Sequence, residues 1–581
     1  MSLRNYDGQV NRAGSVWKTT YPPMAFIILL LLGVAGVARA AAQTIASLST
    51  SSLAQAGRLK IIGGGFGTTQ GSSLVMIGGA TAPVSTWSST SITAYVPDSS
   101  PLGMDKVQIL TSGGGSNMVP LTVTARQAAG QVAWRFQADG FYIRSRPGIG
   151  PDGTVYALDV DGHLYALTPN GGVKWIFNTS PVAIQSVEVG PDGTIYFASG
   201  NTVYALNPDG TLKWKVRDPS GAKVGAGPTV GPDGNIYAVA EDAGLPNGLG
   251  EMTLSPAGQV LSHRPGFVTG RGDDQTREIA FGTNQFYFVM NNVFDHTNGL
   301  QFFGLGGNFL FARLAGGFDE QPAVDAGGNI YSSLASNELG VFDSNGNLLR
   351  SSILGSLTAP NVGSDGTVYV GANLDVLALN ADLSTKWRHA ISRGAYFGGG
   401  PVVNSSNSLV VICVNDVGAP SFIQGIDAAT GNLSWQIDLP AENGGFVRPM
   451  SRPRFSGVNR AYIGMDVNDS VPEPYTYLYA IDTAPGVTVA SLALSPTTVN
   501  GGTPSQGTVT MSGPAPPGGA VVRLASSKIS VATVLRRLTI PAGSNSATFT
   551  VTTKSVFANT KVTISASYAG VRKKAMLTVT P

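Results

Sequence analysis

Between about residues 130 and 485, apolar residues fall in short runs, each closed by a turn. Val155-Tyr156-Ala157-Leu158, Val368-Tyr369-Val370-Gly371 and Leu409-Val410-Val411-Ile412 are rich in β-branched and aromatic residues, the composition of strands buried on both faces. Asp-Gly and Asn-Gly pairs separate them and tolerate the positive φ that tight hairpins need. The cleanest copies are Gly150 to Trp175 and Gly190-Pro191-Asp192-Gly193-Thr194-Ile195-Tyr196, the latter continuing from Val203 to Lys213-Trp214. The first turn of each unit falls at Asp152, Asp192, Asp233, Asn284, Ala326, Asp365, Asn404 and Ser456, a spacing of about 39 to 52 residues. A period near forty with several strands per unit predicts a β-propeller, whose blades cannot bury their faces alone.

These turns count eight units. Their closing positions hold Trp175, Trp214, Leu261, Phe309, Leu348, Trp387 and Trp435, which is one short. An eighth copy, Val132-Ala133-Trp134-Arg135-Phe136, precedes the first turn, whereas Tyr477-Leu478-Tyr479-Ala480-Ile481-Asp482 lacks a following tryptophan. The leading strand is therefore expected to complete the last blade and leave no open sheet edge. Trp134, Trp175, Trp214, Trp387 and Trp435 are read as structural residues of the blades. Outside the leader no amphipathic helix is apparent, and the class is all-β.

Composition permits several domains: 581 residues are 43% hydrophobic and 12% charged, far too apolar for a disordered chain. Met24 to Ala38 is apolar, preceded by Arg4, Arg12 and Lys18 and followed by small residues. It reads as an export signal over residues 1–42, with an uncleaved anchor as the alternative. The single cysteine, Cys413, sits inside an apolar run and is expected to be a buried core residue, leaving stability to burial without disulfides.

Charge divides the chain. Residues 129–485 carry 20 Lys and Arg against 32 Asp and Glu, whereas residues 486–581 carry nine basic side chains and no acidic one. Those nine are Arg523, Lys528, Arg536, Arg537, Lys554, Lys561, Arg572, Lys573 and Lys574. They make an anionic cell-surface component a candidate partner; their spread over several strands without interleaved aromatics also fits an ordinary solvated face and argues against sequence-specific nucleic-acid binding.

The flanks carry resemblances. Gly64-Gly65-Phe66-Gly67, Trp87-Ser88 running to Ile92-Thr93, and Ser116-Asn117 running to Pro120-Leu121-Thr122-Val123 make residues 43–126 resemble an IPT/TIG immunoglobulin-like domain. Residues 486–581 alternate valine and threonine strands with turns, as in a β-sandwich, and are similar to bacterial Ig-like repeats. The central repeat, residues 129–485, resembles the PQQ-like superfamily through its docking pattern, nearly reproduced by Gly425-Ile426-Asp427-Ala428-Ala429-Thr430-Gly431 leading to Trp435. Together these give an eight-bladed β-propeller flanked by two immunoglobulin-like β-sandwiches. In that superfamily the tryptophans pack between blades, and the enzymes hold a quinone over calcium in the central channel.

Chemistry is harder to find. Asp159-Val160-Asp161-Gly162 has too few carboxylates for a calcium loop and reads as a hairpin turn. His163, His263, His296 and His389 fit no zinc spacing and are expected at the surface or at blade edges. No Gly-x-Ser-x-Gly elbow occurs. No catalytic, cofactor-binding or metal-ligating residue is therefore assigned, and no cofactor is expected. Departures from the repeat supply candidate contact loops: Glu241 and Asp242, then Arg271, Asp273, Asp274 and Arg277, then Arg448, Arg452 and Arg454. The expected function is non-catalytic binding by an exported protein, extracellular, at the cell surface or periplasmic, with a protein or glycan ligand. A quinoprotein dehydrogenase and a periplasmic outer-membrane assembly scaffold are the alternatives.

Overall fold

The computed structural model describes residues 43–581, except 126–131, 181–185, 243–247, 270–278, 283, 292–297, 306–307, 316–320, 336, 392–395, 417–419, 440, 443–444, 458, 468–475, 484–486, 488, 516–518, 542 and 569–570. The expected leader lies outside these residues. Those described are all-β, and no helix among them is long and apolar enough to cross a membrane.

Residues 44–124 form two sheets. One orders the strands Thr44–Leu48, Arg58–Gly64, Ser91–Tyr95 and Val84–Trp87; the other is built around Gly103–Thr111 and Val119–Thr124. Alternation along the strands turns Leu59, Ile61, Ile92, Val107 and Ile109 into the shared core. Residues 489–580 also make two sheets over one core, containing Val509, Val522, Phe549, Ile564 and Leu577.

Between them in sequence the described residues form eight further sheets, most with four strands in sequence order. The sheet that ends the series takes its outermost strand from the beginning: Val132–Gln137 pairs antiparallel with Thr476–Asp482, Arg135 opposite Tyr479 and Phe136 opposite Leu478. Burial follows the same circular logic, since each hydrophobic cluster spans two successive sheets. Tyr156 and Leu158 pack with Ile195 and Phe197, Ala205 with Ile236, and Tyr237 with Phe286. Next come Tyr287 with Ile330, Tyr331 with Val368, and Tyr369 with Val410. Val411 then packs with Ile463, and Phe136 with Val155 and Tyr165 returns to the start.

The repeated sequence now has a physical reading. Within each clean copy the turn aspartate accepts from the backbone two residues on, Thr154 to Asp152 at 2.9 Å and Thr194 to Asp192 at 3.0 Å. The lysine before the tryptophan returns to that turn: Lys174 Nζ donates to Thr154 Oγ1 and Lys213 Nζ to Thr194 Oγ1, both at 2.9 Å. Burial alone would raise Asp152, yet the hydrogen bonds from Thr154 and Lys174 outweigh it and hold the carboxyl down at about 2. The tryptophan leaves its own sheet. Trp134, Trp175 and Trp214 donate Nε1–H to the carbonyls of Pro169, Pro208 and Pro256 in the following sheet, at 2.9, 3.0 and 2.9 Å. Trp387 and Trp435 reach Ala428 and Thr483 in the same way.

The first module sits on the closing seam. Tyr95 packs against Phe136 and Tyr165, with centroids 5.1 and 6.1 Å away. Arg58 forms an ion pair with Asp139, to which Ser85 also donates at 2.8 Å. Asn178 in turn donates to the Ser85 carbonyl at 2.7 Å.

Candidate functional site

Most of the central sheets begin with a strand of two or three residues, one with the eight-residue Lys223–Val230, and first strands of successive sheets lie beside one another. Gly148–Ile149, Glu188–Val189, Asn361–Val362, Val402–Val403 and Arg454–Ser456 belong to this set. In these short members the chain turns almost at once into the next strand. Residues beside four of these first strands line a common space.

Arginines occupy that space. Arg146, Asn361, Ser364, Asn404, Arg454 and Phe455 are among the residues lining a cavity of about 290 Å³, contributed by four different sheets. Arg454 lies 3.7 Å from Glu188 Oε1 of another sheet, both side chains about three-quarters buried. Arg452 Nη1 donates to Gln321 Oε1 at 2.6 Å, and Nη2 lies 3.5 Å from the Pro360 carbonyl. Gly399 makes room for it, because a Cβ there would approach Arg452 Cγ to 3.0 Å on a backbone with φ +139°. Backbone groups are held by the amides around the cavity: Val403 N–H donates to Asn361 Oδ1 at 2.9 Å, and Ser364 N–H to Asn407 Oδ1 at 3.2 Å.

This donor set does not fit the calcium-supported quinone that the sequence resemblance implies. Calcium needs several hard oxygen ligands, carboxylates above all. The one carboxylate identified here, Glu188, faces Arg454, and among the described residues no three His, Cys, Asp or Glu come together in a metal-sized group.

The candidate contact residues fall in different parts of the fold. Arg452 and Arg454 belong to the inner cluster instead of an outer loop. Arg448 lies on the strand Gly445–Pro449, opposite Asp466. Glu241 and Asp242 do not open an inserted loop: they finish the strand Ile236–Asp242, paired with Leu249 and Gly248, because the hairpin simply lengthens there. Arg271, Asp273, Asp274 and Arg277 lie outside the described residues. Two histidines also differ from expectation. His163 Nδ1 stands 2.9 Å from buried Asp159, and His263 Nε2 stands 3.3 Å from buried Asp218, so both lie mostly buried beside a carboxyl. His389 is held by the Gly431 carbonyl and Gln424, and His296 lies outside the described residues. Cys413 is buried in its strand, as expected, and burial pushes its thiol far up.

Sequence reasoning missed Arg146, Glu188, Asn361 and Asn404. Their only signal was position, a few residues ahead of, or within, each repeated turn.

Another buried carboxyl stands apart from the cavity. Glu251, fully buried, accepts from Thr253 and Ser262; burial outweighs these bonds and pushes it up to about 7.

Residues 44–125 match the family model of the IPT/TIG domain, and residues 121–271 match that of outer membrane protein assembly factor BamB. No curated protein matches the chain. Among solved structures, BamB from Moraxella catarrhalis is 16% identical with a TM-score of 0.44, covering 60% of this chain and 100% of that one. Quinohemoprotein alcohol dehydrogenase from Comamonas testosteroni is 11% identical with a TM-score of 0.43, covering 61% and 78%.

Proposed function

We propose that the chain is an exported, non-catalytic binding scaffold. In this reading the eight central sheets are the blades of an eight-bladed, PQQ-like propeller, and the modules on either side are immunoglobulin-like sandwiches acting as spacers or surface attachments. The observation that carries it is the set of arginine struts across the middle. Arg452 ties the closing sheet to Gln321 and Pro360, and Arg454 ties it to Glu188. Groups engaged in bridging sheets stiffen a platform; they are poorly disposed to ligate a metal or to exchange protons with a substrate. Similarity of residues 121–271 to the BamB family model supports an exported location and favours, as a second reading, a scaffold for assembly at a membrane.

The test is reconstitution. Purified chain is mixed with pyrroloquinoline quinone and calcium, freed of unbound cofactor by gel filtration, and assayed for absorbance and alcohol oxidation. Neither a retained quinone band nor dye reduction is expected. Stoichiometric retention with turnover would sink the non-catalytic reading.

A further inference from the structure

All nine basic side chains of residues 486–581 are exposed, and that segment holds no acidic residue. Strand register sorts them. Arg523 lies opposite Arg537 on one side and Ser567 on the other, and Ser567 lies opposite Arg572. Directly paired residues share a face, so Arg537, Arg523 and Arg572 stand in one row across four strands. At about 4.8 Å per strand the row is about 14 Å long. Lys574, opposite Ser565, and Lys561, farther along the same uninterrupted ladder, fall on this face by alternation. Val522, Leu524, Leu538, Ile564 and Leu577 occupy the other face and are buried, which fixes the cationic side outward. The remaining four, Lys528, Arg536, Lys554 and Lys573, lie in turns, at strand ends or in the opposite phase.

We propose that this sheet face binds an extended acidic polysaccharide, with successive carboxylates laid along the arginine row. Guanidinium groups pair with carboxylates in bidentate fashion, which a row of arginines repeats. Most uncharged positions on the face are short, Ala525, Thr539, Thr563 and Ser567 among them, with Val521 and Met576 as its exposed apolar residues. Its described strands present no aromatic residue on this side, so bases have nothing to stack upon. For a bilayer the face offers only Val521 and Met576 as apolar residues, with no aromatic belt beside them. Charge complementarity thus favours a carboxylated polymer lying on the surface. The inference goes beyond the scaffold reading and does not depend on it.

Titration calorimetry of the full chain with oligogalacturonate, at about 50 mM salt, tests this. The face variant Arg523→Gln/Arg572→Gln/Lys574→Gln is expected to bind at least about tenfold more weakly. The variant Lys528→Gln/Arg536→Gln/Lys554→Gln removes equal charge elsewhere in the module and should lose less than about threefold. All six side chains are exposed, so melting temperatures should match the parent chain, and Arg572→Glu alone should weaken binding as a second check. Raising salt to about 0.5 M, where screening acts over a few ångströms, should abolish most of the affinity. Equal loss in both triple variants, no binding by the parent chain, or binding to phosphatidylglycerol vesicles without binding to oligogalacturonate would each overturn the proposal.

Discussion

Trp387 donates its indole hydrogen to the Ala428 carbonyl of the following sheet, 2.8 Å away, while its ring covers Gly431. A Cβ on Gly431 would come within 2.8 Å of Trp387 Cδ2, on a backbone with φ +75°. One side chain thus fixes both the spacing and the turn of its neighbour. Gly171, Gly210 and Gly258 stand in the same relation to Trp134, Trp175 and Trp214.

Trp387→Phe keeps most of the apolar area and leaves the Ala428 carbonyl without its donor. The expected loss is about 1–2 kcal/mol of stability. Gly431→Ala adds left-handed strain and a clash with the ring, and should cost at least about 2 kcal/mol. Urea denaturation followed by tryptophan fluorescence measures both. Equal stability of Gly431→Ala and the parent chain would show that the ring yields freely.

Asp139 joins the first module to the closing seam. Burial alone would raise its pKa, but Arg58 and the Ser85 hydroxyl outweigh that and hold the carboxyl below its ordinary value. A depressed folded pKa contributes stability that is present above the unfolded value, near 3.9, and is lost as pH falls through the folded one. The junction should therefore hold at pH 5 and weaken below about pH 4. Asp139→Ala should accelerate hydrogen exchange in Ser91–Tyr95 and Val132–Gln137 at neutral pH, read by mass spectrometry.

Glu251 behaves oppositely. Its folded pKa, pushed up to about 7, lies above the unfolded value. Stability from its protonated form is complete below about pH 4.3 and is lost as pH rises through 7. Glu251→Gln should remove that slope and stabilise the chain at pH 8 by about 3 kcal/mol at most. Melting curves from pH 4 to 8 decide it: a parent chain equally stable across the range would contradict a buried, protonated carboxyl.

Arg452→Ala removes the strut to Gln321 and Pro360. A loss of about 1–3 kcal/mol is expected, with Arg452→Lys recovering only part, since an ammonium cannot span both acceptors as a guanidinium does. Thermal denaturation of the two variants side by side provides the comparison.

The central sheets were legible because their information is local. Asp-Gly turns, the Lys-Trp pair and the stray copy around Trp134 all lie within forty-residue windows, and each proves to be a hydrogen bond or a docking contact. The inner cluster was not legible for the opposite reason. Its strands are two or three residues long, too short to show alternation, and Arg452 meets Gln321 across 131 positions of sequence. That Glu241 and Asp242 lie in a strand was not legible, because a longer hairpin and an inserted loop add the same number of residues. The basic tail module showed its charge but hid its geometry: Arg523 and Arg572 become neighbours of Ser567 only through strand register.

Pairing Val132–Gln137 with Thr476–Asp482 has a consequence for biosynthesis. The strand made first must wait for the strand made last, with more than three hundred residues emerging in between. A nascent chain carries this orphan segment until translation of the region is nearly finished, and premature termination anywhere before Thr476 leaves both its edge and the last-made sheet exposed to the wrong partner. Quality control thus has a simple cue, because a truncated product displays two sticky ends that the finished molecule conceals from itself.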